Sequence, residues 1–234
     1  LASRHAEQCC RNLLSGLPEH VVAPPGADHA GPAAEPEIIA NRGWDSDPLR
    51  LLFVGSVTPR KGLLPALRSL AQIRDIPWEL YVAGDTSRDP RNTRRIRRFL
   101  RQRGLGDRVR LWGKVTDERL RRLYRESHAL YMPYAYEGYG IVFLEAMAAG
   151  LPVLARQDCG AEEIVRSGEN GYLFAPADMD GPAEGIRELA REGERLLTMS
   201  LAAREAFLSH PSWEQSMGRV DVFLAGLCRR DRSA

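Results

Sequence analysis

The chain has 234 residues, 44% of them hydrophobic and 27% charged, which suffices for one globular domain of generous size with connecting segments. A formal net charge of +2 excludes a molecule-wide affinity for nucleic acid, so any basic patch is local. No apolar run nears the ~20 residues of a membrane helix, residues 1–10 lack signal-peptide order, and Cys9, Cys10, Cys159 and Cys228 have neither metal-ligand nor secreted-framework spacing.

These features predict a cytoplasmic protein with reduced thiols, and they leave contact with a membrane surface open. The first residue is Leu1 rather than Met, so a fragment or processed chain is expected.

Residues 21–48 begin "VVAPPGADHAGPAAEPE" and read as an extended connector that sustains no helix, with the compact domain starting near Leu49. Short apolar runs then alternate with helical patterns. "LRLLFVGS" precedes a helix from Lys61, "WELYVAG" an arginine-rich helix, "RVRLWG" the segment "DERLRRLYRES", and "HALYMP" a helix over 139–149. "LPVLA" and "GYLFAP" follow, each leading into further helix.

Strands apolar on both faces, separated by helices, predict an α/β fold with a Rossmann-like, doubly wound parallel sheet. In such sheets ligands sit beyond the carboxyl ends of the strands. The loops expected there hold residues 55–62, Gly84 and Asp85, residues 113–115, and residues 135–140.

Chemistry concentrates in "YEGYGIVFLEAMAAG". Gly138 and Gly140 let backbone approach a ligand, and a helix starting near 139–141 presents unpaired N–H groups that attract phosphate. Glu137 precedes those amides, and Glu145 lies about a turn and a half inside the helix. Two carboxylates that accept from hydroxyls, with donors between them, suit a molecule shaped sugar, diphosphate, ribose, base. In "FVGSVTPRKG", Lys61 and Arg60 stand where they can meet a diphosphate.

With these motifs the chain resembles the family 4 retaining glycosyltransferases of GT-B fold. The resemblance runs through "VVAPPGAD", "FVGSVTPRKG", "VRLWGKVTDERLRRLY", "PYAYEGYGIVFLEAMAAGLPVLA", "GAEEIV", "GENGYLFAPAD" and "SWEQ", about nine tenths of the chain. It implies the donor-binding half of that fold: residues 1–48 as connector and remnant of a preceding domain, 49–210 as the nucleotide-sugar-binding domain, and 211–234 as a carboxy-terminal helix.

The resemblance further implies that Glu137 contacts donor-sugar hydroxyls, Glu145 holds the ribose, and Lys61 binds the diphosphate. The amides of Gly138, Tyr139, Gly140 and Ile141 would bind sugar and phosphate oxygens, and the backbone near Lys114 and Val115 would meet the base. Lys61 and Glu137 are thus the catalytic candidates.

The implied reaction is metal-independent and cofactor-free transfer from a nucleotide-diphosphate sugar, UDP-linked more often than GDP-linked, with retention. The departing phosphate oxygen would take the acceptor proton in a front-face attack. The acceptor, a sugar, lipid or other small molecule, would be bound through an absent amino-terminal domain. One departure is Ser56, where the family usually has Arg; either Arg60 replaces that charge or diphosphate binding is weaker.

Rival readings are a non-catalytic nucleotide-sugar-binding module that needs a partner chain, and a same-fold epimerase. A glycosidase pair of Glu137 and Glu145 is disfavoured because a phosphate-binding helix start stands between them. The arginines of residues 88–110 read as a solvated face rather than a nucleic-acid or membrane surface, since no aromatics interleave. His128 reads as a satisfied structural histidine, while His5, His20, His29 and His210 form no cluster. Trp78, Trp112 and Trp213 read as packing residues, with Trp213 anchoring the last helix. Asp85 either caps a turn or faces the nucleotide.

Overall fold

The computed structural model describes residues 1–43 and 48–231, so residues 44–47 of the connector and 232–234 of the carboxy-terminal segment lie outside the described residues. Six strands form one all-parallel sheet in the order β3-β2-β1-β4-β5-β6. They are β1 Leu49–Val54, β2 Trp78–Ala83, β3 Val109–Gly113, β4 Ala129–Met132, β5 Val153–Arg156 and β6 Gly171–Phe174.

Helices α1 Arg4–Leu13 and α2 Pro36–Ala40 precede the sheet. The crossovers carry α3 Leu63–Leu70, α4 Pro90–Arg103, α5 Asp117–Glu126 and α6 Ile141–Ala148. Helices α7 Gly181–Arg191, α8 Gly193–Leu208 and α9 Trp213–Asp231 close the chain. Every residue of β4 is buried, and Leu51, Leu52 and Phe53 of β1 are fully so. Helices therefore cover both faces, as the uninterrupted apolar runs predict.

His128 is structural as expected: it is buried, and its Nδ1 accepts from the Arg50 amide at 3.0 Å. Trp78 is likewise buried, its indole donating to Ile73 O at 3.2 Å. No disulfide joins any of the four cysteines. No helix among the described residues is long and apolar enough to cross a membrane.

Four expectations change. The stretch read as a helix-free connector contains α2, because Pro36 pre-sets the first helical turn and fully buried Ile39 anchors the helix, which packs against α8. Helix α3 begins at Leu63 rather than Lys61, which ends a short 3-10 turn over Pro59–Lys61. Trp213 is only partly covered: it is 41% exposed, and the entry to α9 is also held by its backbone N–H donating to the Asp28 carboxylate at 2.9 Å. Trp112 is also exposed, with the Arg119 guanidinium over its ring at 4.2 Å.

Candidate functional site

The strand order reverses between β1 and β4. From β1 the chain winds out to β3, then returns to β4 and winds the other way to β6. Loops leaving neighbouring strands at such a reversal diverge and open a crevice at the carboxyl edge. Lys61 follows β1 and Glu137 follows β4, so the two expected residues face each other across it. Their side chains form an ion pair, Nζ to Oε1, with only 15% and 14% of each exposed. Arg60 donates from Nη1 to Tyr136 O at 2.6 Å, tying the two loops together on the exposed side.

The loop beyond Glu137 is held by its carbonyls. Gly160 N–H donates to Glu137 O at 2.8 Å, and Ser3 Oγ donates to Gly138 O at 2.8 Å while capping α1 through the Ala6 amide. Gly140 then takes φ +107, a left-handed backbone that a side chain would strain. That kink stops α6 from extending back to residue 139 and fixes its first residue as Ile141.

No side chain caps α6. Among the described residues nothing accepts from the amides of Gly138, Tyr139, Gly140 or Ile141. Four N–H groups without an acceptor at and just before a helix start, together with the Lys61 side chain that is 15% exposed, are groups of the kind that attract an anion.

Glu145 is the fifth residue of α6, about 6 Å along the axis from Ile141 at 1.5 Å per residue, a single turn rather than a turn and a half. Its Oε2 accepts from the Tyr124 hydroxyl at 2.8 Å, and His29 Nε2 stands 3.8 Å from Oε1. Burial, and then the Glu145 charge, hold the Tyr124 phenol well above the usual tyrosine range, so it remains a donor. A cavity of about 520 Å³ lined by His29, Ala33, Arg121, Tyr124 and Glu145 opens here.

On the other flank, exposed Lys114 places Nζ 3.2 Å from Asp85 Oδ2, with half-buried Val115 beside it. The Ser87 hydroxyl and amide, and then Lys114, hold the Asp85 carboxyl down at about 2. Asp85 is thus a turn cap and a partner of Lys114 together. Ser56 lies half-buried in the β1 loop.

The sequence reading missed several residues. His5, His29 and His210, expected to form no cluster, each make a separate contact with a candidate residue or its neighbour. His210 Nε2 lies 2.9 Å from the Tyr139 hydroxyl and 3.0 Å from Pro25 O, and His5 Nε2 lies 3.0 Å from the Tyr136 hydroxyl. Burial depresses the His210 pKa and raises that of the Tyr139 phenol. Ser3 and Tyr124 were missed as well. Their partners lie 135 and 21 residues away in the chain, which no local pattern reports.

The fold and its polar crevice define a doubly wound α/β protein with its site at the reversal of strand order. The chain belongs to the family described as "Glycosyl transferases group 1", which it matches over residues 34–206. It is 32% identical over 174 residues to an uncharacterized glycosyltransferase, MJ1607, of Methanocaldococcus jannaschii, covering 74% of this chain and 43% of that protein. It is 29% identical over 217 residues to a GDP-mannose-dependent alpha-(1-6)-phosphatidylinositol monomannoside mannosyltransferase of Mycobacterium tuberculosis, covering 87% and 55%.

Among solved structures, sucrose-phosphate synthase from Thermosynechococcus elongatus superposes with TM-score 0.83 at 26% identity over 98% of this chain and 58% of that one. Anabaena Alr3699/HepE in complex with UDP and glucose shares the fold, with TM-score 0.80 at 22% identity over 96% and 61%. The chain spans about half the length of the curated relatives it matches.

Proposed function

We propose that this chain is the donor-binding half of a glycosyltransferase that takes a sugar from a nucleotide-diphosphate sugar, UDP-linked, with retention and without a metal. The observation that carries the reading is the pairing of Lys61 with Glu137 beside the four free amides of 138–141. A part-buried ammonium and a helix start supply the charge that a departing diphosphate needs.

Before donor arrives, Lys61 is neutralised by Glu137. A phosphate oxygen replaces that carboxylate as the partner of Lys61, so the cation never goes unpaired, and Glu137 is released to accept from sugar hydroxyls. Glu145, held by Tyr124, accepts from the ribose, and the backbone at Lys114 and Val115 meets the base. The retaining step follows from the same positioning: the leaving phosphate oxygen takes the acceptor proton as the acceptor oxygen bonds to the anomeric carbon on the same face. The acceptor is bound by a second domain.

A GDP-linked donor is the second reading, supported by the name of the Mycobacterium tuberculosis relative. A hydrolase reading gains nothing, since Glu137 and Glu145 have separate partners and do not flank a common one.

The test is thermal unfolding of the chain with UDP, GDP, ADP and their sugars, with Mg²⁺ and with chelator, repeated on Glu145→Ala. A ligand at 100 times its Kd stabilises by about 2.7 kcal/mol. The reading expects one nucleotide to shift the melting temperature without metal, and the variant to lose that shift. A shift that requires Mg²⁺, or one unchanged in Glu145→Ala, refutes it.

A further inference from the structure

The outer face of α4 is a surface the proposed site does not use. Seven of the 14 residues of this helix are arginine and none is acidic. At 3.6 residues per turn, Arg91, Arg94, Arg95, Arg98 and Arg101 fall within an arc of about 120°, opposite buried Thr93, Ile96 and Leu100. All seven arginines are exposed. Among the described residues none of the seven has a carboxylate at ion-pair distance, whereas Arg110, Arg187 and Arg195 elsewhere do.

Helix α4 contributes +7 to a formal net charge of +2, which leaves the rest of the chain at −5. Arg91 with Arg95, Arg94 with Arg98 and Arg97 with Arg101 are like charges one turn apart, an arrangement that weakens a helix on its own. Solvation accounts for the exposure of these side chains. It does not account for a single-sign stripe that excludes every acid.

We propose that this face of α4 binds the headgroups of an anionic lipid bilayer. Two features of the arc select that occupant. A protein partner needs an apolar centre to its interface, and the arc has no exposed apolar residue. A single-stranded nucleic acid needs aromatic platforms, and the one aromatic of the helix, Phe99, is half-buried with the Arg103 guanidinium 5.8 Å from its ring centre. Lipid headgroups need neither; they are mobile anions that rearrange beneath whatever pattern of cations is offered. A wholly polar face adsorbs to the bilayer without inserting, so the binding is electrostatic throughout and salt disrupts it.

Flotation of the 234-residue chain with vesicles tests this, comparing pure phosphatidylcholine with phosphatidylcholine containing one quarter phosphatidylglycerol. Each arginine near an anionic leaflet is worth about five-fold in partition. The triple variant Arg94→Gln, Arg95→Gln, Arg98→Gln is therefore expected to bind about 100-fold more weakly with an unchanged melting temperature, while Arg187→Gln on another surface binds as wild type. Binding is expected only to the anionic vesicles and is lost near 1 M salt, where the Debye length is about 3 Å.

Equal binding to neutral vesicles, no binding to anionic ones, an unaffected triple variant, or capture of an oligonucleotide in preference to vesicles each overturns the proposal. The nucleotide titration is read on the same variants without lipid, so this inference and the donor-site reading fail separately.

Discussion

Gly160→Ala tests whether the proposed phosphate-binding corner is placed by backbone packing. A Cβ at Gly160 would lie 2.4 Å from Tyr139 Cα, 2.5 Å from Gly138 O and 2.6 Å from Gly138 C, where ordinary contact begins at 3.4 Å. All three atoms are backbone, so no rotamer relieves the clash. Gly160 is not among the left-handed glycines, so alanine adopts its conformation and only the contact matters.

The Gly138 to Tyr139 segment must therefore retreat by about 1 Å, at a cost of ~1–3 kcal/mol for overpacking. For a chain of this size that is a fall in melting temperature of roughly 2–12 °C. That displacement draws the amides away from any phosphate they hold, so the nucleotide-induced shift should shrink at concentrations that saturate wild type. Gly106→Ala is the control, since nothing lies within 4 Å of its Cβ. Differential scanning fluorimetry with and without UDP reads both effects. A Gly160→Ala variant that melts and responds to nucleotide like wild type would refute the placement of these amides.

On the proposed function, Lys61→Ala should abolish nucleotide stabilisation and lower turnover of the full-length protein by about 10²–10³. It leaves the Glu137 carboxylate part-buried and unpaired, at ~1–3 kcal/mol in a urea melt; an unaltered nucleotide response would remove Lys61 from the site. Tyr124→Phe deletes the donor to Glu145 and should weaken nucleotide binding about five- to tenfold. Calorimetry with a nucleotide lacking both ribose hydroxyls should show no difference from wild type, and an equal loss there would mean that Tyr124 acts only on the fold. Burial, and then Arg50 and Arg42, hold His128 neutral with a pKa of about 3 against an ordinary 6.5. The unfolded chain binds more protons between those values, so this contribution is complete above about pH 6.5 and is lost as pH falls toward 3. The loss is about 2 kcal/mol by pH 5. His128→Asn should flatten that slope in urea melts at pH 7 and 5, and an undiminished slope would assign it to other groups.

The sheet was legible in the sequence because its strands are short, mainly apolar runs, most of them closed within two residues by Gly or Pro, a local signal. The glutamate loop was legible for the same reason: Glu137, Gly138, Gly140 and Glu145 sit within nine residues, and helix geometry converts spacing into position. The connector misled because a Pro- and Ala-rich run that forms no helix alone gains one when Ile39 is buried under α8. Trp213 and Trp112 are covered only in part, since how far an aromatic residue is buried depends on what the fold sets over it.

By itself the sequence determined the α/β class, the loops that carry polar groups, and the order in which they occur, since burial patterns and chain breaks are written over a few neighbouring residues. Only the tertiary structure decided which loops meet. The reversal between β1 and β4 joins Lys61 to Glu137 across 76 residues of chain, and connector packing brings His29 to Glu145 and His210 to Tyr139. Such contacts depend on the path of every crossover between them, and no short window of residues contains that path.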